Sequence, residues 1–207
     1  MAPVRDFATA FRTPSVVLLT AQYMTWSIGI YGFILWLPSM LKTGSSMGIV
    51  GIGWLSAVPY LAAALLMVGT SFISDRTRMR RGVVWPFMLL GAVALYGSYA
   101  IGGRNYWLSY GLLVVAGGAM YAPYGPFFAW ITELLPRNVA GGAIALINSF
   151  GALGSFIGTY VVGYLNGATG TDAASFLFMA GSLLTATLLT VAVRPPAAVP
   201  VKQAAVS

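Results

Sequence analysis

IGWLSAVPYLAAALLMVGTSFISDRTRMRRGVVWPFMLLGAVALYGSYAI, from Ile52 to Ile101, is the stretch that decides the fold. Two uncharged apolar runs, Ile52–Ile73 and Val83–Ile101, flank a turn that holds Asp75 and four arginines, Arg76, Arg78, Arg80 and Arg81. At ~1.5 Å per residue, either run is long enough as a helix to cross a hydrocarbon layer of ~30 Å. One charge at mid-membrane would cost ~2.5–3.5 kcal/mol on insertion scales, and neither run contains one. Barrel strands would be about ten residues long and would alternate apolar with polar side chains, which these runs do not. Lipid offers no partner to an open backbone, so both runs read as helices.

The pattern recurs along the chain. Further uncharged apolar segments cover Val16–Pro38, Tyr106–Trp130, Val139–Gly163 and Ala174–Val193, so the count is six. Composition agrees: 58% of the 207 residues are hydrophobic and 7% are charged, too few to cover a water-soluble domain, which carries about 25%. The expected fold is an all-α membrane protein, a six-transmembrane-helix bundle over 16–193. A short cytoplasmic lead-in is expected over 1–15 and a disordered cytoplasmic tail over 194–207. The first segment starts too late and runs too long for a signal peptide.

Charge orients the bundle. With the N-terminus inside, Arg5, Arg12, Arg76, Arg78, Arg80, Arg81, Arg137, Arg194 and Lys202 fall on the cytoplasmic side. Only Lys42 and Arg104 fall outside. This bias predicts both termini in the cytoplasm. The net charge of +7 sits in short clusters beside apolar runs, which speaks for membrane lipid and not for nucleic acid as the partner. Cysteine and histidine are absent, which excludes a disulfide framework, a Cys/His metal site and a cysteine nucleophile. No cofactor, metal or enzyme activity is expected.

Small and kinking residues suggest helices that shift against one another. Pro59 lies inside the second segment, and Pro123 and Pro126 lie inside the fourth. In the fifth, Gly154 and Gly158 form a small-xxx-small step, with Gly151 and Ser155 beside them, which favours close helix approach. Tight packing alone explains this equally well. Helical spacing places Gln22, Trp26, Gly29 and Phe33 on one face, Tyr121, Tyr124 and Phe128 on another, and Asn148, Ser155 and Thr159 on a third. Such polar groups either hydrogen-bond between helices or line a cavity for a polar solute. Tyr106 and Trp107 read as an interfacial belt. At the arginine-rich face, Asp75 ends one helix and Glu133 ends another. Their shared depth and opposite sign pair Glu133 with Arg80 or Arg81 as a cytoplasmic latch.

Four stretches then resemble a known family: YGFILWLP from Tyr31, SDRTRMRR from Ser74, GPFFAWITELLP from Gly125 and GGAIALINSFGALGSFIG from Gly141. Together they resemble the C-terminal six-helix half of a major facilitator superfamily transporter, in the anion:cation symporter branch of organic-acid and sugar-acid permeases. The resemblance spans Phe11 to Pro195. This chain departs from the branch at Arg78, where a glycine is usual, at Met79, at Ala152 in the asparagine position of a GNLGG pattern, and at Thr159, where proline is frequent.

The resemblance implies a secondary transporter for a small organic anion such as a sugar acid or dicarboxylate, coupled to protons when complete, in the cell inner membrane. It implies substrate contacts at Gln22, Trp130, Thr132 and Asn148, to which the tyrosine face adds Tyr124. It likens Asp75 with Arg76, Arg80 and Arg81 to a gating loop. It also implies that the substrate-pairing arginine and the coupling acids belong to a first six-helix half. The partner is then that missing half or a second copy. The rival expectation is a nontransporting membrane scaffold or an inactive truncated half-transporter.

Overall fold

A computed structural model describes residues 13–43, 45–135 and 137–193. The lead-in before position 13 and the tail from position 194 lie outside the described residues. Among the described residues seven helices follow in order: α1 Pro14–Thr43, α2 Ile49–Thr77, α3 Arg80–Gly102, α4 Tyr106–Tyr121, α5 Tyr124–Leu134, α6 Arg137–Thr169 and α7 Ala173–Ala192. They make six spans, since α4 and α5 are two halves of one crossing. The chain is an all-α, six-span membrane bundle. The helices outrun the apolar segments, and α6 reaches 33 residues. Apolar composition marks only the part of a helix that lies in lipid; backbone bonding continues into the headgroup layer.

α1 packs against α6 and α7, α3 against α4 and α7, and α2 mainly against α4. α1 and the α4–α5 crossing are the most buried spans, and α2 is the most exposed. The core is built on Trp26, Phe33, Met88, Met120, Phe127 and Ile131, all nearly inaccessible. Between α1 and α6 the backbones nearly touch. A Cβ on Gly154 would collide with the carbonyl oxygen of Met24, and one on Gly158 with that of Ile28. The small-residue step is therefore a close-packing surface, with Gly151 making room for the Tyr23 ring.

Proline placement explains much of the cross-bracing. A proline cannot donate to the carbonyl four residues earlier, so that carbonyl is orphaned. Pro38 frees the Ile34 carbonyl, which accepts from the Tyr60 hydroxyl of α2 at 3.4 Å. Pro59 frees that of Leu55, which accepts from the Tyr110 hydroxyl of α4 at 3.0 Å. Pro126 frees that of Ala122, which accepts from the Thr70 hydroxyl of α2 at 2.5 Å. These three points are thus fastened to neighbouring helices, as a membrane interior requires. Only the fourth crossing breaks. Pro59 leaves α2 continuous, whereas at Pro123 and Pro126 two missing donors fall within one turn.

Candidate functional site

The break at Ala122–Pro123 sits in the middle of the bundle, and aromatic side chains gather around it. Trp26 Nε1 of α1 donates to the Met120 carbonyl at 3.0 Å, just before the break. Its ring lies 4.6 Å from that of Tyr124, centroid to centroid. Tyr23 stacks on Phe127 at 5.3 Å and meets Phe128 and Tyr124 edge-on. Tyr121 stacks on Tyr124 across the break at 5.5 Å. Tyr31 acts electrostatically on Tyr23, Tyr121 and Tyr124, and Tyr60 acts on Tyr121. Tyr23 is nearly buried, Tyr121 and Tyr124 are half-buried, and Tyr31 and Tyr60 are exposed. The result is a graded wall of phenols, running from core to open face, with no charged residue in it.

Of the residues expected to bind substrate, Tyr124 stands in this wall. Tyr121 and Phe128, on the same predicted face, join it. Gln22 does not. It is fully buried, and its Nε2 donates to Met88 Sδ at 3.2 Å on α3, while Thr190 of α7 approaches the same sulfur at 3.6 Å. Its Oε1 has no hydrogen-bond partner among the described residues. Trp130 is also packed into the core. Thr132 is exposed and bonds back to the Ala129 carbonyl at 2.8 Å. Asn148 is exposed on α6. Two of these four residues are thus buried and two are exposed. Sequence reasoning missed Tyr23, Tyr31 and Tyr60. The signal for the first two was available: Tyr23, Ser27 and Tyr31 repeat at four-residue spacing along α1.

The cluster at the arginine-rich end is compact. Arg80 is 8% exposed and lies between two carboxylates. Its Nε donates to Glu133 Oε1 at 3.0 Å and its Nη1 to Ser74 Oγ at 3.1 Å, and Nη1 also pairs with Asp75 Oδ1. One guanidinium therefore joins the end of α2, the start of α3 and the end of α5, using the fork geometry that arginine supplies. Arg78 approaches Glu133 at 3.9 Å from an exposed position. Arg81 turns elsewhere and donates to the Val191 carbonyl near the end of α7 at 2.6 Å. Arg76 is exposed and forms no ion pair among the described residues. The turn itself closes at Arg78, whose φ of 57° is left-handed and whose N–H donates to the Ser74 carbonyl. That backbone shape is the one glycine adopts most easily.

The sequence model of the Major Facilitator Superfamily matches residues 16–206. A protein of Agrobacterium vitis named for tartrate transport is 30% identical over 175 residues, which is 84% of this chain and 38% of that protein. A quinolone resistance transporter of Acinetobacter baumannii is 30% identical over 181 residues, 87% of this chain and 41% of its own length. A hexuronate transporter of Bacillus subtilis is 21% identical over 202 residues, 90% of this chain and 47% of its own. The chain thus spans less than half the length of these relatives. They are transporters, not enzymes. With the match running from the first span through the last over one six-helix bundle, the chain belongs to the Major Facilitator Superfamily.

Proposed function

We propose that this chain is one six-helix half of a secondary transporter for small organic anions, proton-coupled in its complete form and resident in the bacterial inner membrane. The observation that carries the reading is the broken fourth crossing, with the rings of Tyr23, Tyr124 and Tyr121 in contact beside it and no charged residue among them. Interrupted helices near the bilayer midplane are where transporters hold substrate. Phenol hydroxyls donate to carboxylate and hydroxyl oxygens and present aromatic surface to the carbon skeleton. The relatives named for tartrate and hexuronate transport support an organic acid as the cargo.

The division of labour follows from the charges. The uncharged apolar segments of this half hold no acid to carry a proton and no base to hold a carboxylate. A second six-helix unit of different sequence supplies both; a second copy of this chain would not. The two units rock about the substrate between them. Tyr124, Tyr121 and Tyr31 meet the substrate, and Asn148 approaches it from α6. Gln22 and Trp130 hold the bundle that carries these groups. The end bearing Arg80 is cytoplasmic, with both termini on that side. There Asp75, Arg80 and Glu133 form the latch that shapes the closing surface, flanked by Arg76 and Arg81.

Uptake of labelled tartrate or hexuronate tests this. Vesicles holding this chain with its complementary six-helix unit are expected to accumulate label saturably. Collapsing the pH gradient stops accumulation, and Tyr124→Ala lowers it about tenfold. Label no higher than in empty vesicles, or uptake indifferent to Tyr124→Ala, overturns the reading.

A further inference from the structure

A cavity lies at the other end of the bundle, away from Arg80. Its volume is ≈ 680 Å³, and it is framed by the last turns of α1 and α3 and the first turns of α4 and α7. Aromatic rings form its walls: Tyr99 and Phe176, with centroids 5.6 Å apart, together with Tyr106 and Tyr110. Gly102, Gly103 and Gly170 leave part of the lining without side chains.

Four hydroxyl donors of this cavity are already committed. Tyr106 already donates to the Leu41 carbonyl and Tyr110 to that of Leu55. Ser98 and Ser109 donate to each other's carbonyls. The open acceptor is a carboxylate. Asp172, the one charged residue in the lining, forms no ion pair among the described residues and does not cap its own helix. The ends of α1 and α3 add the partial negative charge of helix C-termini, and the start of α7, beside Asp172, adds the positive charge of an N-terminus, which the carboxylate faces. The start of α4 is answered by the Asn105 side chain, which accepts from the Leu108 N–H at 3.1 Å. An aromatic-walled cavity with a single free carboxylate suits an organic ammonium group.

The rim carries the opposite sign. Lys42 and Arg104 directly follow the lining residues Leu41 and Gly103, are exposed, and form no ion pair among the described residues. A ligand that fits has its cation inside and its anion at the mouth. The depth identifies the source. Tyr106 and exposed Trp107 sit at this end, the place of an interfacial belt. We propose that this cavity binds the headgroup of a zwitterionic aminophospholipid, with its ammonium on Asp172 among Tyr99, Tyr106 and Phe176 and its phosphate facing Lys42 and Arg104. The site is separate from the transport face and does not depend on that reading.

The test uses the whole purified chain in detergent. Native mass spectrometry measures retained phosphatidylethanolamine against phosphatidylglycerol, and thermal unfolding follows the same titrations. Phosphatidylethanolamine is expected to bind at least fivefold more tightly. Asp172→Asn loses that preference, while Asp172→Glu keeps it. Lipid-free unfolding temperatures of both variants match that of the parent chain. Soluble phosphoethanolamine competes only weakly. Equal binding of the two lipids by the parent chain overturns the proposal, as does a preference that survives Asp172→Asn. Soluble phosphoethanolamine binding as tightly as the lipid overturns the assignment to a membrane headgroup.

Discussion

Thr70→Val removes the hydroxyl that serves the Ala122 carbonyl and keeps the side chain's shape. Thr70 is 3% exposed and Ala122 is fully buried, so water does not take the hydroxyl's place. The carbonyl has no other donor, because Pro126 carries no N–H. Leaving a buried carbonyl unmatched costs ~1–3 kcal/mol. Hydrogen bonds between membrane helices average ~0.6 kcal/mol and reach ~1.7 kcal/mol, since the unfolded chain finds other partners. A carbonyl with one available donor belongs at the upper end, so ~1.5 kcal/mol is expected. The mechanism makes a sharper statement. Pro126→Ala restores an N–H four residues after Ala122, and in that background Thr70→Val should cost less than ~0.5 kcal/mol. Reversible unfolding in mixed micelles with increasing dodecyl sulfate, read by tryptophan fluorescence, gives all four corners of the cycle. Equal costs of Thr70→Val with and without Pro126 would refute the idea that the proline creates the need for the hydroxyl.

The same unfolding assay checks three further expectations. Gly154→Val places a branched side chain against the Met24 backbone, which no rotamer change relieves, and should cost ~3 kcal/mol; Gly167→Ala, with open space around it, should cost less than ~0.5 kcal/mol. Arg80→Met strips Asp75 and Glu133 of their shared partner, but those carboxylates are 67% and 41% exposed and keep their water, so the loss should be ~1–2 kcal/mol, below the ~3–5 kcal/mol of a fully buried pair. Most of that loss should vanish when Glu133→Gln is already present, and a simple sum of the two effects would contradict the pairing. Arg78→Gly relieves a left-handed backbone and gives up only a 3.9 Å contact from a 79% exposed side chain, so it should stabilise by ~0.5–1 kcal/mol; a loss of stability would show that the contact outweighs the strain.

Length and absence of charge made the six crossings readable, because lipid imposes both. The direction of each face was not readable. Gln22, Trp26 and Phe33 do share a side of α1, as their spacing says, but that side turns into the bundle. In water the polar side of a helix declares itself. In lipid the outer surface and the core are both apolar, so periodicity finds a face without telling which way it points. The same limit hid Tyr23, Tyr31 and Tyr60, which come together with Tyr121 and Tyr124 only once α1, α2 and the broken crossing are packed. The proline-to-hydroxyl pairs were hidden for another reason. Pro59 announces an orphaned carbonyl at Leu55, but only tertiary placement shows that Tyr110 answers it. Arg80 and Glu133 were legible as a pair because opposite charges at one membrane depth have few other partners.

The phenol wall as the aqueous surface of a transport path is the claim that most needs testing, and the natural absence of cysteine makes the test clean. Single variants Tyr31→Cys and Tyr60→Cys, in membranes, should react with a water-borne maleimide and be protected by the transported organic acid. Val93→Cys on α3 and Leu188→Cys on α7, at exposed positions away from the wall, should stay unreactive because lipid covers them. If positions 31 and 60 prove as inert as positions 93 and 188, the tyrosine face lies against lipid and the transport reading of this site fails.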